Sequence, residues 1–519
     1  MEQKNRKKSS IRNLIFGVMY QLIHLILAFV CRTLLIKKLG SDILGINSLY
    51  SNILTLLSLA ELGISNVMLF KLYKPIADGD EDKLAAYINF YKKVYNIIAL
   101  VILVVGVAII PLLQFIVSGD IDIAKSDLII YYLIFLFNTV SSYFVVYKQT
   151  LINANQEFYV LKLFSMGSVF VQSALKIVFL IVIPNYKIYL IIECVCNLAN
   201  NILLNFYANK KYPLLKNKKA VLDTSAKKEM MRDVKDTFLY KVGGVLISHT
   251  DSIIISVVLS TMLVGYLSNY NLIISGLNGF ISIITSAIFA SVGSLAVENN
   301  PEKSNKIFNV VISIYHFIGA FCGITMFCVF NDFIIMWLDN AEYLFKLDTV
   351  FVLSFNFYFM TAITPIYIFR ENYGLFKKAK FYLLYAAIVN LVSSVILAYF
   401  LGITGVILGT ILCRLTTTFY MEPRYLYKTI FKKSSWNYFG RQLLMFVVTA
   451  VAFVASYFLC GLLGVGLWNF VAKIAICFAV VVIMFVVCFF KTSEFKYIIG
   501  LIKEVFGKLK RNKQTLENK

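Results

Sequence analysis

Charge is scarce in this chain, and proline and histidine are scarcer still. Of 519 residues only 15% are Asp, Glu, Lys or Arg, there are 7 prolines and 3 histidines, and 59% are hydrophobic. So little charge excludes the disordered and ordinary soluble classes, because the apolar residues gather in stretches long enough to cross a bilayer. The histidines, His24, His249 and His316, stand singly inside those stretches, with no HExxH and no Ser/His/Asp order around them. Hydrolase chemistry therefore has no visible constellation, and the chain reads as a non-enzyme. No GxxxxGK[ST] loop occurs either, so any work done must come from an ion gradient, the membrane potential or the gradient of a substrate.

Metal and disulfide chemistry are equally unsupported by spacing. The 9 cysteines fall in or at the ends of apolar stretches, none makes a CxxC, and no histidine lies at ligand spacing. In that setting Cys behaves as a small buried hydrophobe, so the sequence predicts no disulfide, no zinc and no cofactor.

What the chain does have is a basic excess, 50 Lys and Arg against 28 Asp and Glu. In a soluble protein a net charge of +22 would point to nucleic acid. Here the excess sits in short loops and tails beside apolar spans, where topology and anionic lipid account for it. The expected partners are membrane lipids, not nucleic acid. Lys4, Arg6, Lys7 and Lys8 precede the first apolar stretch without a small-residue cleavage site after it, so that span is expected to be retained.

Spans are predicted at 12–36, 43–71, 88–117, 127–151, 158–183, 187–207, 236–259, 263–296, 307–336, 348–370, 379–400, 404–423, 440–460 and 466–490. The fold class is all-α: a polytopic membrane protein of about 14 transmembrane helices, roughly 20 residues being enough for each crossing. With the N-terminus inside, the outer loops carry only Lys37, Lys38, Lys125, Lys187 and Lys346, while Asp120, Asp122, Asp127, Asp339, Glu342 and Asp348 lie outside. That asymmetry predicts both termini in the cytoplasm.

The organisation follows from the gaps and from a weak repeat. Leu44–Tyr50 aligns with Val264–Tyr270 at an offset of 220 residues, with Gly, Ser and Tyr matching. A duplicated six-helix unit is expected, with parallel repeats about an axis along the membrane normal. The predicted domains are an N-terminal lobe (1–207), a basic cytoplasmic linker (208–235), a C-terminal lobe (236–428), an additional helix pair (429–490) and a tail (491–519). In that tail, Lys496, Lys503, Lys508, Lys510 and Arg511 alternate with Phe495, Ile498, Ile499, Ile502 and Phe506. This spacing fits a helix lying on the cytoplasmic surface.

Charges within predicted spans include Arg32, Lys176, Lys241, Arg414, Glu61, Glu193 and Asp251. Each costs about 2.5–3.5 kcal/mol at bilayer depth on insertion scales, so a polar cavity between helices is expected. Arg32, near the outer end of its span, has two readings, snorkelling to the interface or facing the cavity as a bidentate phosphate ligand. Lys176 and Arg414 lie deeper and favour the cavity, whereas Lys241, near a cytoplasmic end, favours snorkelling. Asp251 is either a proton or Na⁺ site or a charge partner, and His249, two residues away, faces another side of the helix. Glu61 and Glu193 are candidates to neutralise Lys176 or Arg414.

The stretch Arg32-Thr-Leu-Leu-Ile-Lys-Lys-Leu-Gly40, then Leu44-Gly45, Leu57-Ser-Leu-Ala-Glu-Leu-Gly63 and Lys71-Leu-Tyr-Lys-Pro75, resembles the bacterial polysaccharide repeat-unit flippases. Asp251-Ser-Ile-Ile-Ile-Ser256, Val264-Gly265 and Ser268-Asn269-Tyr270 add to the likeness. These belong to the multidrug/oligosaccharidyl-lipid/polysaccharide transporter superfamily. The resemblance implies a two-lobed bundle in the bacterial plasma membrane that works by alternating access. The implied cargo is an oligosaccharide repeat unit on undecaprenyl pyrophosphate, moved from the inner to the outer leaflet for capsule or exopolysaccharide export, in contact with the polysaccharide polymerase machinery. Arg32, Lys176 and Arg414 would then hold the pyrophosphate, with Na⁺ or H⁺ coupling left open. The last two spans would line a groove for the lipid tail, as in the related lipid II flippases. A lipid II flippase and a multidrug extruder of the same superfamily are the competing readings. A membrane-embedded glycan polymerase would need a large outer loop that the chain lacks.

Overall fold

Inside a bilayer a backbone group without a partner costs several kcal/mol, which leaves the α-helix as the way for a chain of this composition to cross. In the computed structural model, residues 2–61, 64–119, 121, 123–298, 300–500 and 503 are described, and no strand occurs among them. The helices are α1 (Glu2–Leu57), α2 (Ile64–Asp78), α3 (Glu81–Ile109), α4 (Leu113–Ile116), α5 (Lys125–Ala154), α6 (Phe158–Val182), α7 (Tyr186–Lys211) and α8 (Thr224–Val258). They continue as α9 (Thr261–Glu298), α10 (Pro301–Leu338), α11 (Leu347–Asn372), α12 (Phe376–Arg414), α13 (Glu422–Leu426), α14 (Trp436–Gly461) and α15 (Leu467–Phe489). Residues 415–421 and 427–431, on either side of α13, are π-helical. The predicted surface helix of the tail is helical over 493–500, and its remainder, apart from Lys503, lies outside the described residues.

Among the described residues, eleven helical segments are long and apolar enough to cross a membrane, and a shorter apolar helix covers Val242–Val258. Two of the eleven contain a break, at Gly40 (φ +82°) in α1 and at Gly402 (φ +59°) in α12. Both torsions lie where a Cβ would clash with the backbone, so glycine is what permits the turn. Large apolar side chains such as Ile97, Leu100, Val104, Phe170, Val182, Phe400 and Phe458 face outward, as lipid-facing side chains do. The chain is a multi-pass membrane protein.

The offset of 220 recurs in the helix boundaries. Asp80 caps α3 by accepting from the Lys83 amide, and Asn300, 220 residues on, caps α10 by accepting from the Glu302 and Lys303 amides. The break at Gly40 likewise corresponds to the break between α8 and α9 at Leu259–Ser260. A short polar side chain at such a position satisfies amides that the first helical turn leaves unpaired.

The chain forms two compact units, residues 1–272 with 383–406, and 273–382 with 407–519. The first unit thus takes in residues 236–272 and 383–406 along with the N-terminal helices. Within it, α1 packs on α6 and α8, α3 on α5, and α5 on α7. Its core is rich in tyrosine: Tyr50, Tyr91, Tyr95, Tyr132 and Tyr270 are fully buried. The hydroxyls of Tyr50, Tyr91 and Tyr132 donate to the carbonyls of Leu128, Met68 and Gly106, so each ring is buried without an orphaned polar end. In the second unit, α10 packs on α11, α14 and α15 around Phe308, Phe330, Phe359 and Phe369.

The repeat-related glycines meet each other. A Cβ on Gly265 would lie 2.9 Å from the Gly45 nitrogen and 3.1 Å from the Ser41 carbonyl oxygen, and one on Gly45 would strike the Thr261 carbonyl. All these obstacles are backbone, which cannot rotate away. Gly45→Ala and Gly265→Ala should each cost about 1–3 kcal/mol by overpacking, whereas Gly244→Ala, with open space around it, should be tolerated. Thermal unfolding of the purified variants in detergent checks the contrast. Equal melting temperatures for Gly45→Ala and Gly244→Ala would rule out the close approach.

Candidate functional site

The first unit gathers two of the three predicted cations. Arg32, on α1, points its guanidinium at α9, where Nε donates to Asn269 Oδ1 at 3.1 Å and Nη2 donates to Ser268 Oγ. Both acceptors belong to the segment that aligned with Asn47–Tyr50 in the repeat. Two neutral acceptors on one helix hold the plane of the guanidinium and leave its charge uncompensated by them.

Lys176, on α6, is buried with 6% of its surface exposed. Its Nζ donates to Glu193 Oε2 on α7 at 2.6 Å and lies 3.9 Å from the centroid of the Tyr189 ring. Helical geometry explains the pairing on α7, since residues four apart share a face and Tyr189 and Glu193 point the same way. Cys31, adjacent to Arg32, turns its thiol toward the Ser173 carbonyl on α6. The result is a polar cluster of Arg32, Lys176, Tyr189, Glu193, Ser268 and Asn269 within a bundle that spans the membrane. Its formal charge is +1, two cations against one carboxylate.

Glu61, His249, Asp251 and Arg414 stand on other elements of the chain. Glu61 accepts from Ser65 at 2.8 Å, and Ser65 also meets the Tyr95 hydroxyl at 2.8 Å. His249 Nδ1 lies 2.8 Å from Asn52 Oδ1, between α8 and the second segment of α1. Asp251 lies one half-turn on, half-buried on α8. Arg414 ends α12 in the second unit and is half-buried. The side chain of Lys241 lies outside the described residues. Among the motif residues, Lys71 ties α2 to α8 through Glu229 (2.7 Å) and Asp233 (3.2 Å), and its ammonium holds the Glu229 carboxyl below its usual range.

Several polar pairings were not anticipated from the sequence. Arg370 and Glu422 pair while almost fully buried, Lys473 binds Asp332 at 2.5 Å, and Lys148 donates to Asn205 and Asn209. His316 meets Tyr358 at 3.0 Å and Gln442 at 2.7 Å, with both ring nitrogens engaged inside the second unit. Lys148, Arg370, Asp332 and Glu422 all fall within the predicted spans, so the rule that flagged Lys176 would have found them. Tyr189 carried no such signal, because an aromatic residue in an apolar helix is ordinary. The second unit also holds a cavity of about 440 Å³ bounded by Ile324, Phe351, Phe355, Phe446 and Phe453, almost wholly apolar.

Compared with solved structures, the chain is similar to the lipid II flippase MurJ in an inward closed conformation, with a TM-score of 0.67 at 13% identity over 92% of this chain and 99% of that one. It is also similar to an inward-facing multidrug resistance MATE family transporter of the MOP superfamily, with a TM-score of 0.61 at 12% identity over 80% of this chain and 99% of that one. A variant of the MATE transporter VcmN from Vibrio cholerae superposes with a TM-score of 0.55 at 10% identity, over 82% of this chain and 100% of that one. No family model and no curated protein matches the chain in sequence. The chain shares its overall fold with these structures.

Proposed function

We propose that the protein is a flippase that moves an undecaprenyl-pyrophosphate-linked oligosaccharide repeat unit from the inner to the outer leaflet of a bacterial plasma membrane, by alternating access, for capsule or exopolysaccharide export. The observation that carries this reading is the buried Lys176 on α6, set against Glu193 and Tyr189 on α7, beside the α1 helix on which Arg32 is held by Ser268 and Asn269. A guanidinium offers paired donors to a phosphate, and an ammonium adds a point charge. Glu193 offsets one of the two cations, which limits the hold on a dianion that must later be released. Arg414 is proposed as the third cation. Asp251, Glu61, Glu193 and His249 are the proposed groups for Na⁺ or H⁺ coupling or for charge balance.

The likeness to MurJ supports a lipid-linked cargo, and it extends over more of the chain than the likeness to the MATE transporter, 92% against 80%. Two interrupted segments read as two passes each, together with Val242–Val258, support the fourteen-span, two-lobed arrangement. The apolar cavity beside α14 suits a segment of an isoprenoid tail. Contacts with the polysaccharide polymerase machinery are part of the same proposal.

The likeness to MurJ also favours a second reading, transport of lipid II itself, and depletion in the native cell separates the two. The expected result is loss of surface polysaccharide with lipid-linked repeat units retained on the inner leaflet and growth sustained. Arrested wall synthesis with accumulated lipid II would replace the first reading by the second. Normal surface glycan with altered drug susceptibility would replace both by an extruder.

A further inference from the structure

We infer that Cys328, Cys460 and Cys477 form a three-sulfur site for a soft monovalent cation, Cu(I) or Ag(I). The three come from α10, α14 and α15, and their Sγ atoms lie within 4.8 Å of one another, with Cys460 and Cys477 at 3.8 Å. Cys477 is fully buried, Cys460 is 3% exposed and Cys328 is half-buried, so a cation there would exchange water for sulfur. Polarizable sulfur in a dry site favours d¹⁰ ions of low charge over hard oxygen-seeking ones.

Charge and ligand number select the monovalent class. No His, Asp or Glu completes the group among the described residues, and the neighbouring Asp332 is engaged by Lys473 at 2.5 Å. A structural zinc ion wants four closed ligands, and with three thiolates it would leave net charge in an apolar surround. Cu(I) is satisfied by three sulfurs. One thiol gives up its proton to solvent as the Cu–S bond forms, the other two donate lone pairs, and no electron moves. One positive charge replaces another, so burial is not penalised further. A second observation marks the place as polar and incomplete. The buried hydroxyls of Thr325 and Ser456 lie one helical turn before Cys328 and Cys460, on the same helix faces, and have no hydrogen-bond partner of ordinary geometry among the described residues. An oriented thiolate would accept from both.

The test uses the full-length reduced protein in detergent, titrated with Cu(I) against a bathocuproine chelator. One Cu(I) per chain should be withdrawn from the chelator, and X-ray absorption should show sulfur ligands only. Cys328→Ser, Cys460→Ser and Cys477→Ser should each weaken binding by more than the ~10–100-fold that outer-shell partners are worth. Cys488→Ser, at an exposed position, should change nothing. For any variant that fails to fold, Ag(I) added to the wild type should shield these three thiols from maleimide more than it shields Cys322, read by mass spectrometry. The site is overturned if the wild type takes no Cu(I), if binding survives loss of any of the three, if shielding is uniform, or if Cys460 and Cys477 are joined in a disulfide that resists reduction.

Discussion

Arg370→Met should destabilise the protein by about 3–5 kcal/mol, the range for removing one partner of a buried ion pair. Arg370 keeps 7% of its surface and Glu422 4%, and one guanidinium nitrogen donates to both carboxylate oxygens at 2.8 and 2.7 Å. Taking away the cation leaves Glu422 charged in a site with little water. The pair itself contributes far less than its loss costs, because assembling it already required desolvating both ions. The double variant Arg370→Met/Glu422→Met should therefore recover most of the stability. Thermal unfolding of the purified protein measures both, and a single variant as stable as the wild type would mean that the pair is open to water. The pair ties the end of α11 to α13, so its loss should also loosen the π-helical segments that flank α13.

The second large effect separates binding from folding. Lys176→Met strands the Glu193 carboxylate against Tyr189. Because Glu193 keeps 28% of its side chain exposed, the cost should be about 2–3 kcal/mol, below that of a fully buried pair. Adding Glu193→Gln removes the stranded charge and should restore folding. Export should stay lost in the double variant if the cations hold the pyrophosphate. Arg32→Ala should act in the same direction: a charge-assisted contact is worth about 1.5–3 kcal/mol, or roughly 10–150-fold in affinity. Surface polysaccharide and retained lipid-linked precursor are the readouts, with melting temperature as the folding control. Normal export by the stable double variant would sink the cationic-site reading.

How far the chain could be read differs from residue to residue. Gly45 and Gly265 matched in the internal alignment, but that their backbones touch is visible only in the folded structure. The breaks at Gly40 and Gly402 lie at the ends of apolar runs and were visible as span boundaries. Lys176 could be found because a lone cation in an apolar helix is costly wherever it lies. Its partner could not be chosen, since Glu61 and Glu193 carry the same charge in similar surroundings and only the packing of α6 on α7 decides between them. Asn269 and Ser268 appeared as a motif, with nothing to show that they receive Arg32 from 237 and 236 residues away. The thiol trio was hidden most thoroughly, because no local spacing joins residues 328, 460 and 477.

Composition and periodicity by themselves determined that this protein lives in a membrane and that its regular structure is helical. Those properties depend on transfer free energy and backbone hydrogen bonding, which each segment settles on its own. Tertiary structure alone decided which charges pair and which cysteines meet. Such contacts join distant positions and are selected by side-chain packing between helices, a quantity that no single segment contains.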